Sequence, residues 1–102
     1  MMVDMFEQEL NRGDIICIAK YDTIVPAMFI QNTGTSVQYF DLNSDWLANQ
    51  IVNAKKAKTK LRVDYVNASH KIRFIKINRD ILDKFSQDSY DLLKEYFEND
   101  GR

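Results

Sequence analysis

Lys55–Arg79, KKAKTKLRVDYVNASHKIRFIKINR, is the stretch on which the reading of this chain turns: it holds nine of the fourteen basic residues and one acid, Asp64. Within it Leu61, Val63 and Tyr65 alternate with Arg62 and Asp64, Asn67, Ala68, Ser69 and His70 supply turn formers, and Ile72 and Phe74 alternate with Lys71 and Arg73. A period of two on both sides of a turn predicts a β-hairpin. After Phe74 the apolar positions shift by one, to Ile75 and Ile77, which requires a bulge or a strand covered on both faces. The charged face of such a hairpin carries Arg62, Lys71, Arg73 and Lys76, and Lys55, Lys56, Lys58 and Lys60 lead into it. Tyr65 and Phe74 fall on the opposite, apolar face with Leu61 and Ile72, which predicts core positions for both.

Upstream of the lysines, Ser44 is a suitable N-cap and Asp45 favours the positive end of a helix dipole. Trp46, Leu47, Ile51, Val52 and Ala54 keep helical spacing up to Lys55 and Lys56, whose charges suit the C-terminal end. Before that helix, Asp14 to Lys20 is β-branched with apolar residues on both faces, the pattern of a central strand. Ile24 to Gln31 continues as a strand in which Pro26, without a backbone donor, requires an edge, a strand start or a bulge. Asn32, Thr33, Gly34 and Thr35 form a turn, and Val37 to Leu42 alternates again, predicting a second hairpin. At the N-terminus Met2, Met5, Phe6 and Leu10 share one helical face. Val3 to Asn11 therefore reads as a short helix stopped by Gly13. Downstream, Asn78 caps a turn at Arg79. Ser86 or Asp88 then caps a last helix with Tyr90, Leu93 and Phe97 on one face.

The element order is α-β-β-β-α-β-β-α in a single domain spanning 1–102, with no internal repeat and no linker. Five strands joined mostly by short turns predict an α+β fold: a small antiparallel five-stranded sheet, either flat with helices on one face or bent into an SH3-like or Sm-like open barrel.

Composition narrows the chemistry. At 28% charged and 45% hydrophobic residues the chain has the balance of a folded globular protein, and its longest uncharged run, Thr23 to Phe40, contains Pro26 and a polar cluster, so no membrane span is expected. No signal peptide opens it, and the expected location is cytoplasmic. The wealth of Ile, Asn, Lys, Asp and Tyr beside three glycines and one proline suggests AT-rich coding, as in an AT-rich bacterium or a bacteriophage. The one cysteine, Cys17, sits in an apolar run and reads as a small hydrophobe. Asn67-Ala68-Ser69 matches a glycosylation acceptor, but no secretory signal accompanies it. A nucleophile and base would need a histidine beside Ser, Cys or Thr, and the one histidine, His70, lies in the predicted turn. Structural zinc takes about four Cys or His ligands. With no phosphate-cradling glycine loop either, no enzyme, cofactor or metal is expected.

Charge is more informative. Residues 1–50 carry two bases and seven acids, net −5; residues 51–79 carry nine and one, net +8; residues 80–102 carry three and seven, net −4. Two readings follow. The basic face can bind phosphate, making the chain a non-enzymatic binding module for RNA or DNA or for an acidic protein, through Lys55, Lys56, Lys58, Lys60, Arg62, Lys71 and Arg73. Alternatively, the acidic C-terminal helix packs beside the hairpin and the charges satisfy one another. A rival of another class is a protein-interaction or assembly subunit, such as a homodimer, that uses the aromatic surface of Trp46, Tyr90, Tyr96 and Phe97.

Overall fold

The computed structural model describes residues 2–20, 23–61, 63–67 and 74–100. Its N-terminus departs from the sequence reading. Met2–Val3 (β1) and Glu9–Leu10 (β2) pair as a tiny antiparallel ladder where a helix was predicted. The Asp4 carboxylate explains the difference: Oδ1 accepts the backbone N–H groups of Phe6 and Gln8, both at 2.9 Å. Oδ2 accepts Gln8 Nε2 at 2.8 Å and the backbone N–H of Lys76 at 2.7 Å. A short acidic side chain that captures nearby amides offers the backbone an alternative to helical bonding. Gly13 likewise is no helix stop. It takes φ 93° in the turn Asn11–Asp14, closed by a bond of 2.7 Å from the Asn11 N–H to Asp14 Oδ2.

Ile15–Lys20 (β3), Thr23–Asn32 (β4) and Ser36–Asp41 (β5) form the expected meander. Pro26 sits opposite Cys17 inside β4, and its carbonyl accepts the Leu42 N–H at 2.9 Å, beyond the end of β5. Its missing donor points to that same side, where the ladder has already ended, so the strand loses no bond to β3. One irregularity matters later: Phe29 pairs with Tyr39 and Gln31 with Gln38, which leaves Ile30 as an extra residue in a bulge.

Leu47–Ala57 (α1) follows, and its N-cap is Trp46, with no side-chain cap and no acid in the first turn, not Ser44 as expected; the Ser44 Oγ accepts the Trp46 N–H at 3.3 Å in the turn before the helix. Leu47, Ile51 and Ala54 are buried, but Trp46 and Val52 are exposed, so the apolar stripe is narrower than the spacing suggested. Asp64–Asn67 (β6) and Phe74–Ile77 (β7) come next, then a 3₁₀ turn at Arg79–Ile81 and the helix Lys84–Asp100 (α2). The first turn of α2 is capped by Asp83, whose Oδ1 accepts the Ser86 N–H at 2.7 Å, and not by Ser86 or Asp88.

The five long strands form one open antiparallel sheet in the order β6-β5-β4-β3-β7, and with the two helices this is a small α+β fold. The predicted hairpin between β6 and β7 is not there. Asp64–Asn67 pairs with Ser36–Tyr39 and Phe74–Ile77 pairs with Ile15–Ile18, so the two basic strands lie at opposite edges. Alternation identifies a strand but not its neighbour. The predicted turn residues Ala68, Ser69 and His70, together with Lys71, Ile72 and Arg73, lie outside the described residues, as does Arg62.

Both faces of the sheet are covered. On one, Ile15, Met28, Ile30 and Phe40 pack under Leu47 and Ile51 of α1 and Leu93 and Tyr96 of α2. On the other, Ile16, Ile18, Phe29, Val37, Tyr39 and Phe74 form a second cluster, to which Leu10 alone among the described residues comes from outside the sheet. Val66 of β6 packs against this cluster but is only partly buried. No helix among the described residues is long and apolar enough to cross a membrane.

Candidate functional site

Four of the seven predicted anion contacts come together at one end of α1. Lys55 and Lys56 stand in its last turn, where cations complement the helix dipole. Lys58 follows in the left-handed conformation, φ 55° and ψ 36°, with the Thr59 N–H reaching back to the Ala54 carbonyl at 3.1 Å. This is a Schellman ending made by a lysine where glycine is usual. Lys60 then turns towards the sheet, and all four side chains are exposed. Arg62, Lys71 and Arg73 lie outside the described residues.

Three acids, Asp14, Asp88 and Asp91, form ion pairs with other cations. Arg79 grips Asp91 with both ends of its guanidinium, Nε to Oδ1 at 2.9 Å and Nη2 to Oδ2 at 2.5 Å, which holds the Asp91 carboxyl below the usual carboxylate range. Lys84 meets Asp88 at 3.3 Å one turn along α2. Lys76, read as part of the basic face, lies at the far edge of the sheet, 3.4 Å from Asp14 Oδ2. Among the described residues no carboxylate stands within ion-pair distance of Lys56, Lys58 or Lys60. Asp91 and Asp88 of the acidic helix thus pair with Arg79 and with the helix's own Lys84, and not with Lys56, Lys58 or Lys60.

Beside Lys60 the sheet surface opens into a groove of about 280 Å³. Arg12 and Lys60 flank it, Gln31 and Gln38 line its strand side, and Phe40 and Phe97 contribute aromatic surface. The guanidinium of Arg12 lies over the Phe97 ring, 5.7 Å from its centroid, while Phe40 and Phe97 meet at 5.6 Å. The bulge at Ile30 makes the groove possible. It lets Ile30 contribute to the core while the next residue, Gln31, pairs with Gln38, the two amides joined at 2.8 Å. Tyr65, directly opposite Gln38 in register, is 71% exposed. It was expected in the core with Phe74. Phe74 is fully buried, but Tyr65 lies on an edge strand beyond the cover of the helices.

Sequence reasoning missed Arg12, Gln31 and Gln38. The signal available was Gln38 itself, a polar residue alternating in step with Phe40 and Leu42. Cys17 is half-buried and burial pushes its thiol pKa up, consistent with a packing role. His70 lies outside the described residues, and among those described no three His, Cys, Asp or Glu side chains are grouped to hold a metal ion. No protein-family model, curated protein or solved structure matches the chain. The functional reading therefore rests on these residues alone.

Proposed function

We propose that this protein is a non-enzymatic binding module of the cytoplasm that docks a nucleic acid on the lysine cluster at the C-terminal end of α1. One observation carries the reading: Lys56, Lys58 and Lys60 are exposed together with no acidic partner among the described residues, while the acids of α2 engage Arg79 and Lys84. A phosphate backbone releases counterions as each lysine neutralises it, and that release supplies affinity. An acidic protein would use the same lysines with less gain, because its charges carry no condensed counterion layer to release.

Fluorescence anisotropy with labelled single-stranded and duplex oligonucleotides tests the proposal. Three lysine–phosphate contacts on a single strand weaken binding about twentyfold between about 50 and 200 mM salt. Lys58→Glu with Lys60→Glu lowers affinity and flattens that slope. Absent binding at the lower salt, or binding that ignores salt, rejects it.

A second reading has its own observation. Trp46 is 69% exposed, an aromatic surface suited to a protein contact in an assembly subunit or homodimer, whereas Tyr96, expected in the same surface, is buried. Sedimentation separates the two. A salt-insensitive dimer that Trp46→Ala dissociates supports this second reading, and a monomer removes it.

A further inference from the structure

The outer edge of β6 has a capacity that the lysines do not supply. Ser36 faces β4, since its carbonyl accepts the Thr33 N–H at 2.9 Å, and so does Leu42, whose N–H reaches the Pro26 carbonyl at 2.9 Å. Backbone groups alternate in direction along a strand, so Val37 and Tyr39 turn theirs towards β6, where they meet Val66 and Asp64 in register. The N–H and C=O of Tyr65 are therefore directed away from β5. β6 ends the sheet, and among the described residues no further strand lies beside it. Proteins blunt such edges with proline, with lysine on the strand or with a covering segment. Asp64-Tyr65-Val66-Asn67 contains neither residue, and the segment that does cover an edge, residues 2–10, lies at β7.

We infer that the β6 edge accepts an extended, acidic segment of a partner protein as a sixth strand, its backbone bonded to the N–H and C=O of Tyr65. In strand addition main-chain bonds supply affinity and side chains supply selectivity. Here charge selects the occupant. β6 lies inside Lys55–Arg79, nine bases against one acid, and Lys60 lines the same groove as Gln38, the residue opposite Tyr65. A second copy would bring the same basic stretch to the edge and be repelled, whereas acids at alternate positions of an added strand complement it. A nucleic acid has no peptide groups with which to extend a ladder. The edge is thus independent of the nucleic-acid reading above, and either can fail without the other.

Hydrogen exchange followed by NMR tests it, with a peptide of alternating glutamate and valine as the probe. The glutamate peptide is expected to slow exchange of the Tyr65 amide, and a peptide of alternating lysine and valine to leave it unchanged. The glutamate peptide N-methylated at every residue keeps its charges but cannot join a ladder, and is expected to lose the effect. Tyr65→Pro removes the outward donor while leaving the groups of Asp64 and Val66 that face β5, so peptide binding in calorimetry is expected to weaken about tenfold. Tyr65→Ala keeps that donor and is expected to retain most of the binding. Thermal melts confirm that both variants are folded; should Tyr65→Pro unfold, the plain and N-methylated peptides on the wild type decide. An unprotected Tyr65 amide, equal effects from the glutamate and lysine peptides, or protection by the N-methylated peptide overturns the inference. So does a loss in Tyr65→Ala as large as in Tyr65→Pro, which would assign the binding to the ring. Protection that rises with protein concentration alone, with a dimer in sedimentation, makes a second copy the occupant and overturns it too. An oligonucleotide that protects this amide as well as the peptide does overturns it while supporting the nucleic-acid reading.

Discussion

Along the β7 edge of the sheet Phe74 has no exposed surface, and the backbone there is held by the N-terminal segment. The Met5 N–H meets the Phe74 carbonyl at 2.9 Å, and Asp4 Oδ2 accepts the Lys76 N–H at 2.7 Å. Along the β6 edge Tyr65 stands out from the sheet and Val66 is the residue that packs inward. The two strands come from the same basic stretch, Lys55–Arg79. What separates them is cover supplied from far away in the chain: residues 2–10 reach β7, and no described segment reaches the outer side of β6. An edge with its ladder occupied contributes stability, and an edge left open presents side chains to a partner.

Substitutions that exchange these roles test the comparison most severely. Phe74→Ala is expected to cost about 3–5 kcal/mol in urea unfolding, as for other fully buried aromatics. Tyr65→Ala is expected to stay within about 0.5 kcal/mol of wild type. Similar values for the two would erase the distinction between the edges. Next in size, Asp4→Asn places an amide NH₂ or leaves a weaker acceptor where four donors converge, at an expected cost of about 1–3 kcal/mol. Burial works against ionisation of Asp4, but the bonds from Lys76, Gln8 and Phe6 outweigh it and hold its carboxyl below the ordinary value. Its contribution is therefore complete above about pH 4 and is lost as pH falls through the lower folded value. Urea midpoints measured down the acid range should fall less steeply in Asp4→Asn than in wild type.

Smaller effects sharpen the same contrast. Lys58 holds a left-handed backbone that suits glycine, so Lys58→Gly is expected to stabilise the fold by about 0.5–1 kcal/mol while weakening oligonucleotide binding. A loss of stability would show that the lysine side chain has a packing role. Arg79→Ala removes an exposed ion pair, and its effect on unfolding, the smallest expected, should disappear as salt is raised.

The meander of β3 to β5, α1 and the last helix are legible in the sequence because each is specified by its own periodicity and turn residues. Two elements are not. Met5 and Phe6 complete a helical pattern at the N-terminus, yet Asp4 bonds to an amide 72 residues away, and no local window contains that partner. The alternation around Tyr65 and Phe74 announces two strands, but the turn formers between them suggest a pairing that the sheet does not make. The lysine cluster is legible as composition, since four of its members fall within six positions. The groove is not, because it depends on a one-residue bulge at Ile30 that sets Gln31 against Gln38.

The bond between Asp4 and Lys76 has a consequence in time as well as in space. A growing chain makes Asp4 early and must extend 72 residues before its acceptor finds the Lys76 amide. Until then β3 lacks its neighbour on that side, although its hairpin with β4 can close at once. Closing so long a loop is entropically slow relative to forming local turns, and contacts of this range are what retard folding of small domains. The clamp at the β7 edge is thus expected to form late, so that Asp4→Asn speeds unfolding and leaves the refolding rate nearly unchanged in stopped-flow measurements. A slowed refolding limb would instead place the clamp in the folding nucleus.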